Sequence, residues 1–202
     1  MNRRNTLASL AACALAAGAG GLLAACTEAK PQFKSIDLTG ADYARDFQLT
    51  DHNGQPRSLK DFRGKLVVLF FGYTQCPDVC PATLAELAEA KKLLGPDGDK
   101  LQGLFVTVDP ERDTPEVLKG YMSNFDPSFL ALRGTPEQLA AVGKEFKVYY
   151  KKVDGATPAS YTMDHSAASY VYDTQGRLRL YARYGGGAQA LASDLRLLLE
   201  HG

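Results

Sequence analysis

Residues 66–71, LVVLFF, form an unbroken apolar run rich in β-branched and aromatic side chains. That is the pattern of a strand covered on both faces. Gly72 and a short polar turn follow. From Pro81 onward Leu84, Leu87, Ala88, Lys91 and Leu94 recur at helical spacing until Gly95-Pro96 ends the pattern. Upstream, residues 47–50 alternate apolar and polar and meet Asp51-His52-Asn53-Gly54, a strong hairpin turn, with residues 56–59 as the returning arm. His52 at the turn tip is expected to face solvent. Residues 101–108 read as a second buried strand ending at Asp109-Pro110, and Asp109 to Asp113 as a surface loop. Thr114-Pro115-Glu116 starts a helix, with threonine as N-cap, proline in the first turn and an acid near the positive end.

Residues 129–133 suit a short strand, and Thr135-Pro136-Glu137-Gln138 has the spacing of a capping box. Residues 148–153 alternate as a strand, and residues 154–162 are loop-like. Residues 168–172 and 178–184 flank the turn Asp173-Thr174-Gln175-Gly176, and residues 189–199 form a last amphipathic helix. Strands alternating with helices, then a hairpin and a helix, predict an α/β fold: a central mixed sheet with helices on both faces and an added N-terminal β-hairpin.

The first 25 residues differ from the rest. Arg3 and Arg4 precede an Ala/Leu/Gly-rich run that ends Leu23-Ala24-Ala25-Cys26. This layout is that of a lipoprotein-type signal peptide (residues 1–25), with Cys26 as the lipidated first residue of the mature chain. An uncleaved anchor is the alternative, weakened by the glycines in the run. Residues 26–45 are read as a tether and residues 46–202 as the domain, held at the periplasmic or other extracytoplasmic face of a membrane. The whole chain has 23 basic and 23 acidic residues. The leader takes two of the bases and none of the acids, so the remainder is slightly acidic. Such a balance leaves no electrostatic footprint for nucleic acid.

Four cysteines occur, but Cys13 lies inside the leader and Cys26 at its end, as the lipidation site. Cys76 and Cys80 alone remain for the domain, too few for a disulfide framework and placed where thiols do chemistry. They follow the first central strand and open a helix, which fits a thioredoxin-like arrangement. At i and i+4 their Cβ atoms would lie about 5–6 Å apart, close to the Cα separation of about 4.4–6.8 Å that a disulfide needs. The same spacing lets both sulfurs reach one metal. A helix N-terminus is expected to favour the thiolate.

A third ligand would separate redox from metal chemistry. His165, in Met163-Asp164-His165-Ser166, precedes the strand at 168–172, and in a thioredoxin-like sheet that loop lies beside the thiol turn. A redox thioredoxin places a cis-proline there; here the nearest proline is Pro158. Two thiolates and an imidazole make a soft set suited to Cu(I), able to hold Cu(II) or zinc as well. Asp78 and Asp164 are candidate outer-shell acceptors, and Met163 a soft atom more suited to packing.

FFGYTQCPDVCPATL, VTVDPERDTPE and DHSAASYVYD, in this order, resemble the Sco/SenC family, thioredoxin-like copper-binding proteins tethered to respiratory membranes. The resemblance implies copper ligands at Cys76, Cys80 and His165, with one copper per domain. It further implies a metallochaperone that delivers copper to the binuclear centre of cytochrome c oxidase, in subunit II, or to another extracytoplasmic copper protein, with a periplasmic copper donor upstream. The alternative is a thiol-disulfide oxidoreductase using the Cys76–Cys80 pair. A copper or redox sensor would share the same ligands.

Overall fold

The computed structural model describes residues 31–157 and 160–201. The leader, Cys26 and Pro158 lie outside the described residues. Among the described residues, ten strands and four α-helices follow in order: β1 (Ile36–Asp37), β2 (Leu49–Asp51), β3 (Pro56–Arg57), β4 (Leu66–Gly72), α1 (Val79–Leu93), β5 (Leu101–Thr107), α2 (Pro115–Ser123), β6 (Leu130–Arg133), α3 (Pro136–Phe146), β7 (Tyr150–Val153), β8 (Thr162–His165), β9 (Ala168–Tyr172), β10 (Leu178–Arg183) and α4 (Ala188–His201). Eight strands form one sheet in the order β1-β10-β9-β4-β5-β6-β2-β3, and β7 with β8 forms a separate hairpin.

β4 is the centre of the sheet. It runs parallel to β5, Leu66 opposite Leu101 through Gly72 opposite Thr107, and antiparallel to β9. All seven of its residues are buried. At about 1.5–3 kcal/mol per large apolar side chain removed from water, this strand and its neighbours carry much of the folding free energy. Successive side chains point to opposite faces, and the ring contacts show what covers each. Phe71 meets Phe146 of α3 and Tyr170 of β9. Phe70 meets Phe105 of β5, which in turn packs on Tyr121 of α2. Helices therefore cover both faces of a mixed sheet. The N-terminal hairpin β2–β3 is added at one edge, beside β6.

The caps follow the sequence pattern. Thr114 accepts from the Val117 N–H at the start of α2, and Thr135 with Gln138 forms a reciprocal capping box on α3. Two hairpin turns are tied by buried carboxylates. Asp51 accepts from Asn53 N, Gln55 N and the Arg57 guanidinium. Asp173 does the same for Gln175 N, Arg177 N and the Arg177 and Arg179 guanidinium groups.

Four local expectations are corrected. His52 is half-buried rather than a free turn tip: its Nδ1 accepts from Ala131 N at 3.1 Å, and its own N–H donates back to Ala131 O. Asp109 and Asp113 are buried at 3% and 0% exposure, so their segment is not a simple surface loop. His165 is not in a loop but ends β8, opposite Tyr150 of β7; pairing with β7 extends what looked like irregular chain into a strand. Lastly, the stretch read as a tether is folded from Gln32 onward. β1 adds to β10, the Lys34 and Ser35 N–H groups donate to buried Asp194, and Ala44 N donates to Glu145 O.

Candidate metal centre

Cys76 sits in the turn after β4, before α1 begins at Val79, and Cys80 lies in the helix's first turn. Asp78, at the N-cap position, makes no side-chain cap. The Cys76 sulfur takes part of that role, accepting from Cys80 N at 3.4 Å. Both cysteines are free thiols; Cys80 is buried and Cys76 is partly exposed. The sheet brings β8 to the same end, and His165 Nε2 lies 3.4 Å from the Cys80 sulfur. The three ligand atoms, two sulfurs and one imidazole nitrogen, all lie within 4.8 Å of one another. Three donors sharing one ion at about 2.0–2.3 Å stand about 3.5–4 Å apart, so modest side-chain adjustment would complete the set.

The His165 ring is oriented for this. Its Nδ1 is 3.1 Å from the carbonyl of Ser166. A carbonyl only accepts, so Nδ1 carries the proton and the Nε2 lone pair faces the sulfurs. Phe70 and Tyr73 hold the ring edge-on, with centroids 6.0 and 5.9 Å away. Burial pushes the imidazole below its ordinary pKa, outweighing the Ser166 carbonyl and the Asp164 charge, and so favours the neutral ligand form.

Cys80 departs from the helix-terminus expectation. Burial pushes its thiol far up, assisted by Cys76 and the Asp113 charge and opposed by a hydrogen bond from the Tyr73 backbone. Desolvation of the thiolate outweighs the helix end here. Cys80 is therefore a thiol that loses its proton when a metal or another strong electrophile takes its place. Asp78 and Asp164 are exposed, and neither reaches a ligand atom by a hydrogen bond; Asp164 acts only through its charge on His165. Met163 packs partly buried against the core.

Several supporting residues were not anticipated. Gly72 ends β4 directly under the site, where a Cβ would come within 2.7 Å of both the Cys80 sulfur and the Phe105 ring. Asp113 accepts from the backbone N–H and the hydroxyl of Thr74 and from the Thr107 hydroxyl, fastening the thiol turn to β5. Arg112 pairs with Asp109, donates to Gln75 Oε1 at 3.0 Å and Tyr161 O at 2.9 Å, and lies 3.5 Å over the Tyr161 ring. Tyr161 returns its hydroxyl to Asp109 at 2.7 Å. The segment from Asp109 to Asp113 is thus a clasp joining the thiol turn to the chain that leads into the His165 strand. Its available signal was position: two acids bracketing an arginine, directly after the carboxyl end of a buried parallel strand, fall at the sheet end where sites form.

Residues 37–200 match the SCO1/SenC family profile. The chain belongs to the SCO1/SenC family. Among solved structures, copper-bound ScoI of Bradyrhizobium japonicum is 43% identical with a TM-score of 0.70, the match covering 76% of this chain and 97% of that one. Apo Sco1 of Thermus thermophilus is 39% identical with a TM-score of 0.75, covering 84% of this chain and 99% of that one. The mitochondrial SCO2 homolog of mouse is 38% identical over 153 residues, which is 75% of this chain and 60% of that protein. This chain therefore spans about three fifths of that mitochondrial Sco protein. Among the described residues, no helix of this Sco domain is long and apolar enough to cross a membrane.

Proposed function

We propose that this Sco-family chain binds one copper ion through Cys76, Cys80 and His165 and hands it to another extracytoplasmic copper protein, the binuclear centre of cytochrome c oxidase being the leading recipient. The observation that carries the reading is the convergence of two sulfurs and one bare imidazole nitrogen within 4.8 Å. Two soft thiolates suit Cu(I), and a neutral imidazole lets the same set accept Cu(II). The copper-bound relative from Bradyrhizobium japonicum and the copper-bound yeast Sco1, 32% identical, support the choice of metal. Partly exposed Cys76 is the ligand a recipient's sulfur can approach first, so transfer would proceed by stepwise ligand exchange. Cys26 would carry the lipid that keeps the domain at the membrane surface beside its recipient.

A thiol-disulfide reductase is the second reading, favoured by the free Cys76–Cys80 pair. In it the Cys76 thiolate attacks a partner disulfide, and Cys80 resolves the mixed disulfide. The resolving step needs the Cys80 thiolate, which burial disfavours, so reduction ranks behind metal delivery. The two readings part in a strain lacking this chain. Restoration of oxidase activity by added copper supports delivery, whereas restoration only by an added thiol reductant supports reduction.

A further inference from the structure

The β7–β8 hairpin, which carries His165, is a two-stranded sheet separate from the eight-stranded one that leads to the thiols. Side chains must therefore fix the imidazole against the sulfurs. At Tyr161, the residue before β8, one side chain spans the gap. Arg112 Nη1 donates to the Tyr161 carbonyl at 2.9 Å and to Gln75 Oε1 at 3.0 Å. A single nitrogen thus joins the chain entering β8 to the residue before Cys76. The guanidinium packs on two rings, 3.5 Å from the centroid of Tyr161 and 5.7 Å from that of Tyr73, and Tyr73 is edge-on to His165. Asp109 pairs with the Arg112 Nε and also accepts the Tyr161 hydroxyl.

Stability alone does not account for Arg112. It is largely buried, and its Nη2 has no hydrogen-bond partner among the described residues. A desolvated ion pair with an unmet donor is a poor stabiliser. Lys152 also ties the hairpin to this segment, through Glu111, but that pair is exposed and of small effect. We propose that Arg112 is a positioning residue for the metal site: it holds the β7–β8 hairpin in place beside the thiol turn, so that His165 meets Cys76 and Cys80 as a preformed third ligand. A lysine keeps the charge but not the planar fork that reaches Asp109, Gln75 and Tyr161 together. This rests on the copper reading above.

The test is a mutant cycle in the full chain that combines Arg112→Lys with His165→Ala and reads Cu(I) affinity by competition with a chelator. Arg112→Lys should lower the affinity about tenfold, the lower end of outer-shell effects, and should cause no further loss once His165 is alanine. In the metal-free Arg112→Lys protein, amide hydrogen exchange should quicken across β7 and β8 and stay unchanged in β4. Gln75→Ala changes an exposed side chain; it should repeat the cycle with a smaller loss, and it decides the matter if Arg112→Lys does not fold. Equal loss with and without His165, or no loss at all, would overturn the assignment. So would hairpin exchange that is unchanged, or that quickens only together with β4. Wild-type protein that binds no copper would instead overturn the copper reading itself and this inference with it.

Discussion

The Nε2 atom of His165 lies 3.4 Å from the sulfur of Cys80, across 85 residues of chain. The contact exists because β4 and β9 are adjacent antiparallel strands. α1 starts just beyond the carboxyl end of β4, and His165 sits just before the start of β9, so both reach the same end of the sheet. An imidazole in that position gives two thiols a third donor, and it makes the site separable by mutation. In His165→Ala the two thiols remain, so the Cys76–Cys80 disulfide should form with an unchanged reduction potential. Cu(II) affinity should fall by more than the roughly 10–100-fold typical of outer-shell changes. Parallel potentiometry and Cu(II) titration check this; wild-type affinity would remove His165 from the site.

Gly72→Ala should damage the site from below. A methyl 2.7 Å from both the Cys80 sulfur and Phe105 cannot be accommodated without moving one of them. Overpacking of this kind costs about 1–3 kcal/mol. Urea unfolding should show that loss, and copper affinity should drop because Cys80 is the softest neighbour to displace.

Asp113 tests the clasp. Asp113→Ala leaves three donors, Thr74 N, Thr74 Oγ1 and Thr107 Oγ1, without their acceptor. A stability loss of about 2–4 kcal/mol is expected from the unmet groups, together with faster hydrogen exchange at Thr74 to Cys76. Asp113→Asn retains an acceptor oxygen and should recover most of the loss. Equal damage in both variants would show that the charge, and not the hydrogen bonding, matters.

Acid stability depends on Asp51 and Asp173. Burial pushes each carboxyl up, but the backbone N–H groups and arginines around it outweigh burial and hold it below the usual carboxylate range. Their folded pKa values are thus depressed. The stability they contribute is complete above the unfolded value of about 3.9 and is lost as pH falls below it, through the folded values. Asp113 has the opposite sign: burial raises its pKa against the Thr107 and Thr74 hydrogen bonds, so its charge detracts from stability at neutral pH. Urea midpoints measured from pH 7 to pH 2 should fall most steeply below about pH 4, and Asp173→Asn should flatten that limb. An unchanged slope in Asp173→Asn would contradict the assignment.

The sheet was legible because its signals are local. The LVVLFF run, the Asn-Gly turn and the two Thr-Pro-Glu helix starts act within a few residues, and each element appears at or within a few positions of its predicted place. The pairing of Cys76, Cys80 and His165 was legible once the strand order was assumed. Long-range compensation was not legible. Nothing adjacent to Cys80 in sequence tells that burial overrides the helix end, since the covering groups come from β4, β5 and β8. Asp109 and Asp113 look like surface acids until Arg112, Tyr161 and Thr74 are brought to them by the fold. Residues 32–45 carry no periodicity, yet they fold because their backbone pairs with β10 and caps on Asp194, which a pattern of side chains does not report.

The most direct test is an anaerobic Cu(I) titration of the fully reduced chain, with zinc as competitor. One tightly bound Cu(I) per chain is predicted for wild type, retained against zinc, weakened in His165→Ala, and abolished in Cys76→Ser and in Cys80→Ser. Wild-type-like Cu(I) binding in Cys80→Ser, or a wild-type site that prefers zinc, would contradict it.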